Sequence, residues 1–385
     1  MKRTTLLTGF GILIAYSGLV NAQTVPVHDH VVVVMMENRN YDELYKDVTD
    51  APYINSWTSD ANAAWFTNSF AIEHPSQPNY LDLFSGNNQG NTSDALPTNY
   101  PYTTANLGAE LIAKGKTFTG FSENLGSVGS QAATAGGTNG YARKHAPWTN
   151  WLGAGTNQMP ITVHQIYTSF PTSANYSTLP TVAFVIPNLL DDMHNGTAPT
   201  SIVTGDTWLK NNIDAYAQWA KTHNSLLIIQ WDEDDNLGGT NQIVTIFIGQ
   251  NVKGALYSEK VTHYRILRTL EDMYGTGYAG ASSTEVPITD IWKSSTTGIA
   301  SENGAEQHLV VMPNPFNNQA LIRVDQNLQA AEFRLYNSLG EEVQCMRNLN
   351  GTQFTLNRAE LKSGIYFYAL NQGPGLVSRG KVMIE

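Results

Sequence analysis

The chain has 385 residues, a formal net charge of −11 and a single cysteine, Cys345. That length holds one large domain and a smaller one, and a lone cysteine excludes an intrachain disulfide. The acid excess repels nucleic acid and anionic membrane surfaces at long range. It is concentrated before the last segment, because residues 308–385 carry seven basic against six acidic groups.

Lys2 and Arg3 precede an apolar stretch from Leu6 to Val20, and Val20-Asn21-Ala22 fits a small-residue cleavage site. Residues 1–22 therefore read as an export signal peptide. A membrane anchor is the rival, but the run is short and contains Gly and Ser. No later stretch approaches ~18 unbroken apolar residues, so the mature protein is expected to carry no transmembrane segment and to be secreted or held at the cell surface.

Residues 23–293 alternate strand and helix signals. HVVVVMM ends on Glu37 and Asn38; LPTVAFVIPN leads to Asp191, Asp192 and His194; SLLIIQW ends on Asp232, Glu233, Asp234 and Asp235. Short runs of branched apolar residues bounded by polar ones predict strands buried on both faces, the mark of a parallel sheet. Ligands of open α/β sheets bind beyond the carboxyl ends of such strands. Helices are expected over Thr104–Lys114, over Asp206–Thr222 with Asp206 as cap, and over Tyr264–Tyr274, with a further strand at Gln242–Ile248. The long Gly-rich loop Glu123–Thr149 carries YARKHAPW, and long loops in compact domains are commonly functional.

Within EHPSQPNYLDLFSG, residues 73–86, Ser76 sits in a Pro-bounded turn at the mouth of a helix-like run. It serves there either as a simple N-cap or as a nucleophile. A helix N-terminus favours an anion such as phosphate, which the hydroxyl can attack.

Residues 294–307 are Ser/Thr/Gly-rich and read as a linker, and residues 308–385 change to short β-rich runs that predict a small all-β sandwich.

His30-Val-Val-Val-Val-Met-Met-Glu-Asn-Arg-Asn, Glu73-His-Pro-Ser-Gln-Pro-Asn-Tyr-Leu, Tyr141-Ala-Arg-Lys-His-Ala-Pro-Trp, Pro187-Asn-Leu-Leu-Asp-Asp-Met-His-Asn-Gly, Gln230-Trp-Asp-Glu-Asp-Asp and Thr262-His-Tyr occur in this order. Together they resemble the phosphoesterase family of bacterial acid phosphatases and phospholipases C, on the side of the mycobacterial secreted acid phosphatases. The implied fold is α/β, an alkaline-phosphatase-like α/β/α sandwich around a mostly parallel sheet. Met312-Pro-Asn-Pro-Phe, Leu335-Tyr-Asn-Ser-Leu-Gly, Leu361-Lys-Ser-Gly-Ile-Tyr-Phe and Gly380-Lys-Val-Met-Ile look like a type IX secretion sorting domain. That implies the type IX machinery as a partner and export across the outer membrane.

Carried over by position, the resemblance makes Ser76 the nucleophile and Glu37, Asn38, Asp232 and Glu233, with Ser76, ligands of a divalent cation. Such hard oxygen donors suit a divalent ion of unspecified identity. His145 and His194 are candidates for holding phosphate oxygens and protonating the leaving alkoxide, as imidazolium at acidic pH. Lys144 is a candidate positive charge for the phosphate, His74 orients the Ser76 turn, Asp191 or Asp192 orients His194, and His263 opens a helix packed nearby. Arg265 departs from the family pattern and brings extra charge within possible reach of the site.

The expected activity is hydrolysis of phosphate monoesters through a phosphoserine intermediate, with phosphorylated inositol lipids as one candidate substrate. A phospholipase C-type phosphodiesterase and a catalytically dead surface-binding protein are the competing readings.

Overall fold

The computed structural model describes residues 25–293, 309–373 and 375–385. The signal-peptide reading of residues 1–22 and the linker reading of 294–307 lie outside the described residues. The chain divides into two compact units, residues 1–295 and 296–385. Among the described residues no helix is long and apolar enough to cross a membrane.

In the first unit His30–Met36 (β1), Ala63–Phe66 (β2), Phe118–Ser122 (β3), His164–Ile166 (β4), Val182–Ile186 (β5), Ser225–Trp231 (β6), Thr245–Gly249 (β7) and Ala255–Tyr257 (β8) form one sheet. Their order is β8-β2-β7-β6-β1-β5-β3-β4. The three apolar runs picked out above are its parallel centre, with Val31 of β1 opposite Val182 of β5 and Leu226 of β6. Only β7 runs against its neighbours, β6 and β2.

The period of two in β1 explains the layers. Val31, Val33 and Met35 point into one core and Val32, Val34 and Met36 into another. A strand apolar on both faces must be covered on both, and each buried valine contributes on the order of 1.5–3 kcal/mol. A charge introduced at Val33 would sit unpaired in that core. Helices Ser76–Ser85 (α1), Leu107–Ala113 (α2) and His263–Tyr274 (α5) cover the first face, through Leu83, Phe84, Leu111, Ile266 and Leu270. Thr200–Asn212 (α3) and Asp214–Ala220 (α4) cover the second, through Trp208, Leu209 and Tyr216. The result is the expected α/β/α sandwich.

Several expectations shift. Asp206 is not a cap of its own helix, which starts at Thr200. Its carboxylate instead accepts from the backbone N–H groups of Tyr53 (3.1 Å) and Ile54 (2.8 Å), the free donors at the start of the short helix Pro52–Ser56. The single helix expected to Thr222 is two, parted at Ile213. The helix expected from Thr104 begins at Leu107, because Asn106 caps it by accepting from the Ala109 N–H at 2.9 Å. The strand expected from Gln242 begins at Thr245, since Ile243 N–H is spent on the Ser69 carbonyl.

Two glycines shape the surroundings of the site. α1 stops at Gly86, whose φ of 64° is left-handed and where a Cβ would lie 2.0 Å from the Ala279 carbonyl oxygen. Gly120 of β3 leaves the space the Trp148 ring fills, a Cβ there falling 2.1 Å from that ring. Trp148 anchors the turns that present Lys144 and His145.

The strands of the second unit pair antiparallel. Leu309–Met312 (β9), Gln319–Tyr336 (β10), Glu342–Asn357 (β11), Gly364–Gln372 (β12) and Gly375–Ile384 (β13) form a five-stranded sheet. β10 pairs with β9, β11 and β12, and its pairing with β11 shifts register around Leu328 and Ala331. Such shifts let long strands bend. Ile322, Phe333, Leu335, Leu356 and Leu370 form its own core, sharing no residue with those of the first unit.

Candidate active site

The carboxyl ends of β5, β1 and β6 are tied together beyond the regular ladder. Glu37 N–H donates to the Asp192 carbonyl at 2.8 Å, and Asp232 N–H to the Met36 carbonyl at 3.0 Å. Three separate strands thus deliver Glu37, Asp192 and Asp232 to one spot, each 0% exposed.

α1 adds the nucleophile candidate. Asn79 pins the loop ahead of the helix, accepting from Ile72 N–H (3.0 Å) and Glu73 N–H (3.1 Å) and donating to the Glu73 carbonyl (2.6 Å). Ser76 is the first helical residue, after Pro75 at the N-cap. Its Oγ stands 3.0 Å from both Glu37 Oε2 and Glu233 Oε1. One turn later on the same helix, Tyr80 donates its hydroxyl to Glu37 Oε1.

A serine hydroxyl has one proton and cannot donate to two carboxylates. The second carboxylate must carry a proton itself or share a cation. Burial holds the carboxyls of Glu37, Asp192 and Asp232 well above the ordinary range, and their mutual repulsion adds to it. Burial also raises Glu233, against the hydrogen bonds it receives from Ser76 and His74.

Among the buried atoms without a hydrogen-bond partner here are Asn38 Oδ1, Asp232 Oδ2 and Asp192 Oδ2. Asn38 takes a left-handed φ of 47° and donates its own N–H to Asp232 Oδ1 at 3.3 Å. Buried oxygen atoms left unpaired are costly. Orphaned hard donors beside three desolvated carboxyls are what a divalent cation satisfies. The set expected from the sequence (Glu37, Asn38, Ser76, Asp232 and Glu233) fits such an ion. A second grouping shares Glu37: one ligand atom each of Glu37, His145 and His194 lie within 4.8 Å of one another. The oxygen set takes in Asn38 Oδ1 and Asp232 Oδ2, and the second grouping takes in His145, whose two ring nitrogens also lack a hydrogen-bond partner.

Both candidate histidines lie beside the carboxyl cluster. His145 is buried, stacks on Tyr80 with centroids 5.1 Å apart, and places Nε2 3.1 Å from Glu37 Oε1 and Nδ1 3.5 Å from Asp192 Oδ2. Burial pushes it well below its ordinary value, with Lys144 and His194 acting the same way. Neither nitrogen is aligned for a hydrogen bond. His194 Nε2 lies 3.3 Å from the Lys144 ammonium, which can only donate, so Nε2 accepts and the proton sits on Nδ1 toward Asn195 Oδ1 at 3.0 Å. Burial first, then Lys144 and Arg39, lower His194 despite that bond. Burial thus opposes the imidazolium form of both rings, the form expected of them at acidic pH.

The other expected residues divide. Asp192 does not orient the His194 ring; its Oδ1 takes the His194 backbone N–H at 2.7 Å, while Oδ2 faces His145. Asp191 is occupied by Asn188 at 2.7 Å. His74 bridges Glu233 (2.7 Å) and Asp234 (3.2 Å) and so holds the acid beside Ser76. His263 spends Nδ1 on Gln230 (2.9 Å) and Nε2 on the Asp232 carbonyl (2.7 Å), which fixes the end of β6 from outside the cluster. Lys144 reaches the site; burial opposes its charge, but Glu37 and Asp94 outweigh that and raise its pKa. Arg265 does not reach it. Its guanidinium is held by Glu259 and by the carbonyls of Lys260 and Val286 (3.1 Å from Nε).

Sequence reasoning missed three residues. Tyr80 follows Ser76 by one helical turn, and that spacing could have revealed it. Arg39, which binds the Asn38 carbonyl (2.9 Å), the Met193 carbonyl (3.0 Å) and Ser201 Oγ (2.5 Å), lies in a quoted motif but was given no role. Asp94 gave no local signal; its Oδ2 is 2.7 Å from Lys144 Nζ and its Oδ1 accepts the Gln77 N–H at 3.0 Å.

A buried serine at a helix start, set among strand-end carboxyls and one lysine, defines a hydrolytic site for an anionic ester. The chain belongs to the Phosphoesterase family, whose model matches residues 47–277, and is a hydrolase of phosphate esters. Residues 310–385 match the Secretion system C-terminal sorting domain. Glu37 and Asn38 precede the first matched stretch.

Among relatives, the phosphatidylinositol-3-phosphatase of Mycobacterium tuberculosis is 46% identical over 271 residues, 70% of this chain and 85% of that protein. An acid phosphatase of Aspergillus fumigatus is 25% identical over 68% of this chain and 58% of its own length. Among solved structures, a Vibrio parahaemolyticus protein of the alkaline phosphatase superfamily aligns with a TM-score of 0.47 and 10% identity, over 80% of this chain and 78% of its own.

Proposed function

We propose that this protein is a secreted phosphomonoesterase of the acid phosphatase type, working through a phosphoserine intermediate. The observation that carries the reading is Ser76 Oγ, 3.0 Å from both Glu37 and Glu233 at the first residue of α1. The carboxyls on which it rests can take its proton, and the helix start favours the phosphoryl anion. Attack forms the Ser76 Oγ–phosphorus bond and breaks the ester bond to the leaving alkoxide, which takes up the proton that the serine gave to the carboxyl. Water then hydrolyses the phosphoserine and frees the enzyme.

A divalent cation held by Glu37, Asn38, Ser76, Asp232 and Glu233 would supply charge that lowers the serine pKa and offsets charge on the phosphoryl oxygens. Lys144, with the imidazoles of His145 and His194, faces the non-bridging oxygens. A terminal phosphate offers more charge to these donors than a diester does, and it needs no room for a second alcohol. The 46% identity with a phosphatidylinositol-3-phosphatase supports phosphorylated inositol lipids as substrates. The sorting-domain match supports export by a type IX system, to the medium or the cell surface.

A panel of matched mono- and diesters tests the reading. We expect p-nitrophenyl phosphate and phosphatidylinositol 3-phosphate to be hydrolysed much faster than bis-p-nitrophenyl phosphate or phosphatidylcholine. Equal specificity constants for mono- and diesters would replace it with the phospholipase C-type activity, and no turnover of any ester with a bound cation would leave a binding protein.

A further inference from the structure

Asp94 lies on the loop between α1 and α2, outside every motif that carries the family resemblance. Its side chain is 36% exposed, against 18% for Lys144, so the carboxylate closes over the ammonium from the solvent side. Both of its oxygens are engaged, Oδ2 with Lys144 Nζ at 2.7 Å and Oδ1 with the Gln77 backbone N–H at 3.0 Å. Gln77 directly follows Ser76, so that N–H belongs to the helix start on which the nucleophile sits. One carboxylate therefore spans the two donors that an incoming phosphate needs, the ammonium and the first-turn amide.

The loop on either side of Asp94 is fixed. Gln77 Nε2 donates to the Ser93 carbonyl at 2.9 Å and to the Ala95 carbonyl at 2.8 Å, and Gln77 is 1% exposed. The backbone is thereby pinned at both flanks, and the part free to move is the exposed carboxylate, by rotation about its own side-chain bonds. A carboxylate and a phosphate are both oxyanions and cannot share the same two donors.

The structure assigns Asp94 as a specificity-determining residue that occupies the phosphate subsite of the free enzyme and yields it only to a stronger oxyanion. This assignment rests on the reading that phosphate binds beside Ser76 and Lys144. Its chemical consequence is selection by charge. A dianionic terminal phosphate gains more from Lys144 and the helix start than the carboxylate does, whereas a singly charged diester competes on roughly equal terms. Asp94 thus widens the gap between mono- and diesters without touching the reacting atoms.

The test uses the full-length protein and its Asp94→Asn and Asp94→Ala variants. Calorimetric titration with inorganic phosphate is run beside steady-state kinetics on p-nitrophenyl phosphate and bis-p-nitrophenyl phosphate. Removing the internal competitor is expected to tighten phosphate binding on the order of three- to tenfold, lower KM for the monoester, and narrow the preference for monoester over diester. A misfolded variant cannot bind phosphate more tightly, so a gain of affinity is not a structural side effect.

Weaker phosphate binding with a higher KM in both variants would overturn the assignment and make Asp94 a positioning residue for Lys144. Unchanged affinity and unchanged selectivity would overturn it as well. The calorimetric arm is independent of turnover. An unmodified protein that binds phosphate but hydrolyses neither ester refutes the phosphatase reading, while the affinity of the variants still decides the role of Asp94.

Discussion

Tyr80 and Glu37 come from different layers of the fold, yet the Tyr80 hydroxyl donates to Glu37 Oε1 while Ser76, one turn earlier on the same helix, meets Glu37 Oε2. Residues i and i+4 of a helix share a face, so α1 grips both oxygens of one buried carboxylate with two hydroxyls. Tyr80→Phe keeps the ring stacked on His145 but takes the hydroxyl from Oε1, which His145 Nε2 still faces at 3.1 Å. We expect kcat/KM to fall by about ten- to a hundredfold, in line with the roughly 1.5–3 kcal/mol typical of a hydrogen bond to a charged group. Unaltered kcat/KM in the folded variant would show that Glu37 is held by its other contacts alone.

Ser76→Ala removes the attacking oxygen and leaves the apolar side of α1 intact. Turnover should drop ~10³-fold or more, about 4 kcal/mol of transition-state stabilisation. Circular dichroism should be unchanged. Retention of more than about a tenth of the activity would move the nucleophile elsewhere.

Cation removal is the third expectation. Extended dialysis against a strong chelator should abolish activity, and one divalent ion should restore it. Asp232→Asn, which neutralises a carboxyl bearing an unpartnered buried oxygen, should weaken binding of that ion about tenfold or more by calorimetry. Full activity in protein shown by elemental analysis to be metal-free would sink the cation-assisted mechanism.

Stability should depend on pH through His28, which burial lowers from 6.5 to about 4. The folded value lies below the unfolded one, so as the pH falls the unfolded chain takes up the proton first. The contribution is complete above about pH 6.5 and is lost progressively as the pH falls toward about 4. Between about pH 7 and pH 5 this residue alone should remove about 1–2 kcal/mol. His28→Gln should lose correspondingly less over the same interval in urea unfolding, and an identical pH dependence in both proteins would contradict the buried neutral imidazole.

Deleting residues 308–385 should spare catalysis and block export. Every side chain named in the site precedes residue 294. Secreted and cell-bound activity in the producing organism provide the measurement. A truncated protein that folds but no longer turns over substrate would place part of the site in the tail.

The sequence by itself determined the sheet centre and the ends that carry the chemistry. Runs such as HVVVVMM and SLLIIQW can be covered only on both faces, and the polar residues that end them must then gather at one edge. Ser76 before an apolar helical run was legible for the same local reason. Tertiary structure alone decided which polar atoms meet. Asp192 faces His145 and not the His194 ring, because the turn through Met193 gives it the His194 N–H instead. His263 supports the Asp232 carbonyl, Arg265 is consumed by Glu259, and Asp94 reaches Lys144 across 50 residues of chain. Hydrophobic periodicity records which face is buried, and it is written in neighbouring residues. A polar contact between distant segments depends on strand register and loop path, and no local pattern encodes either.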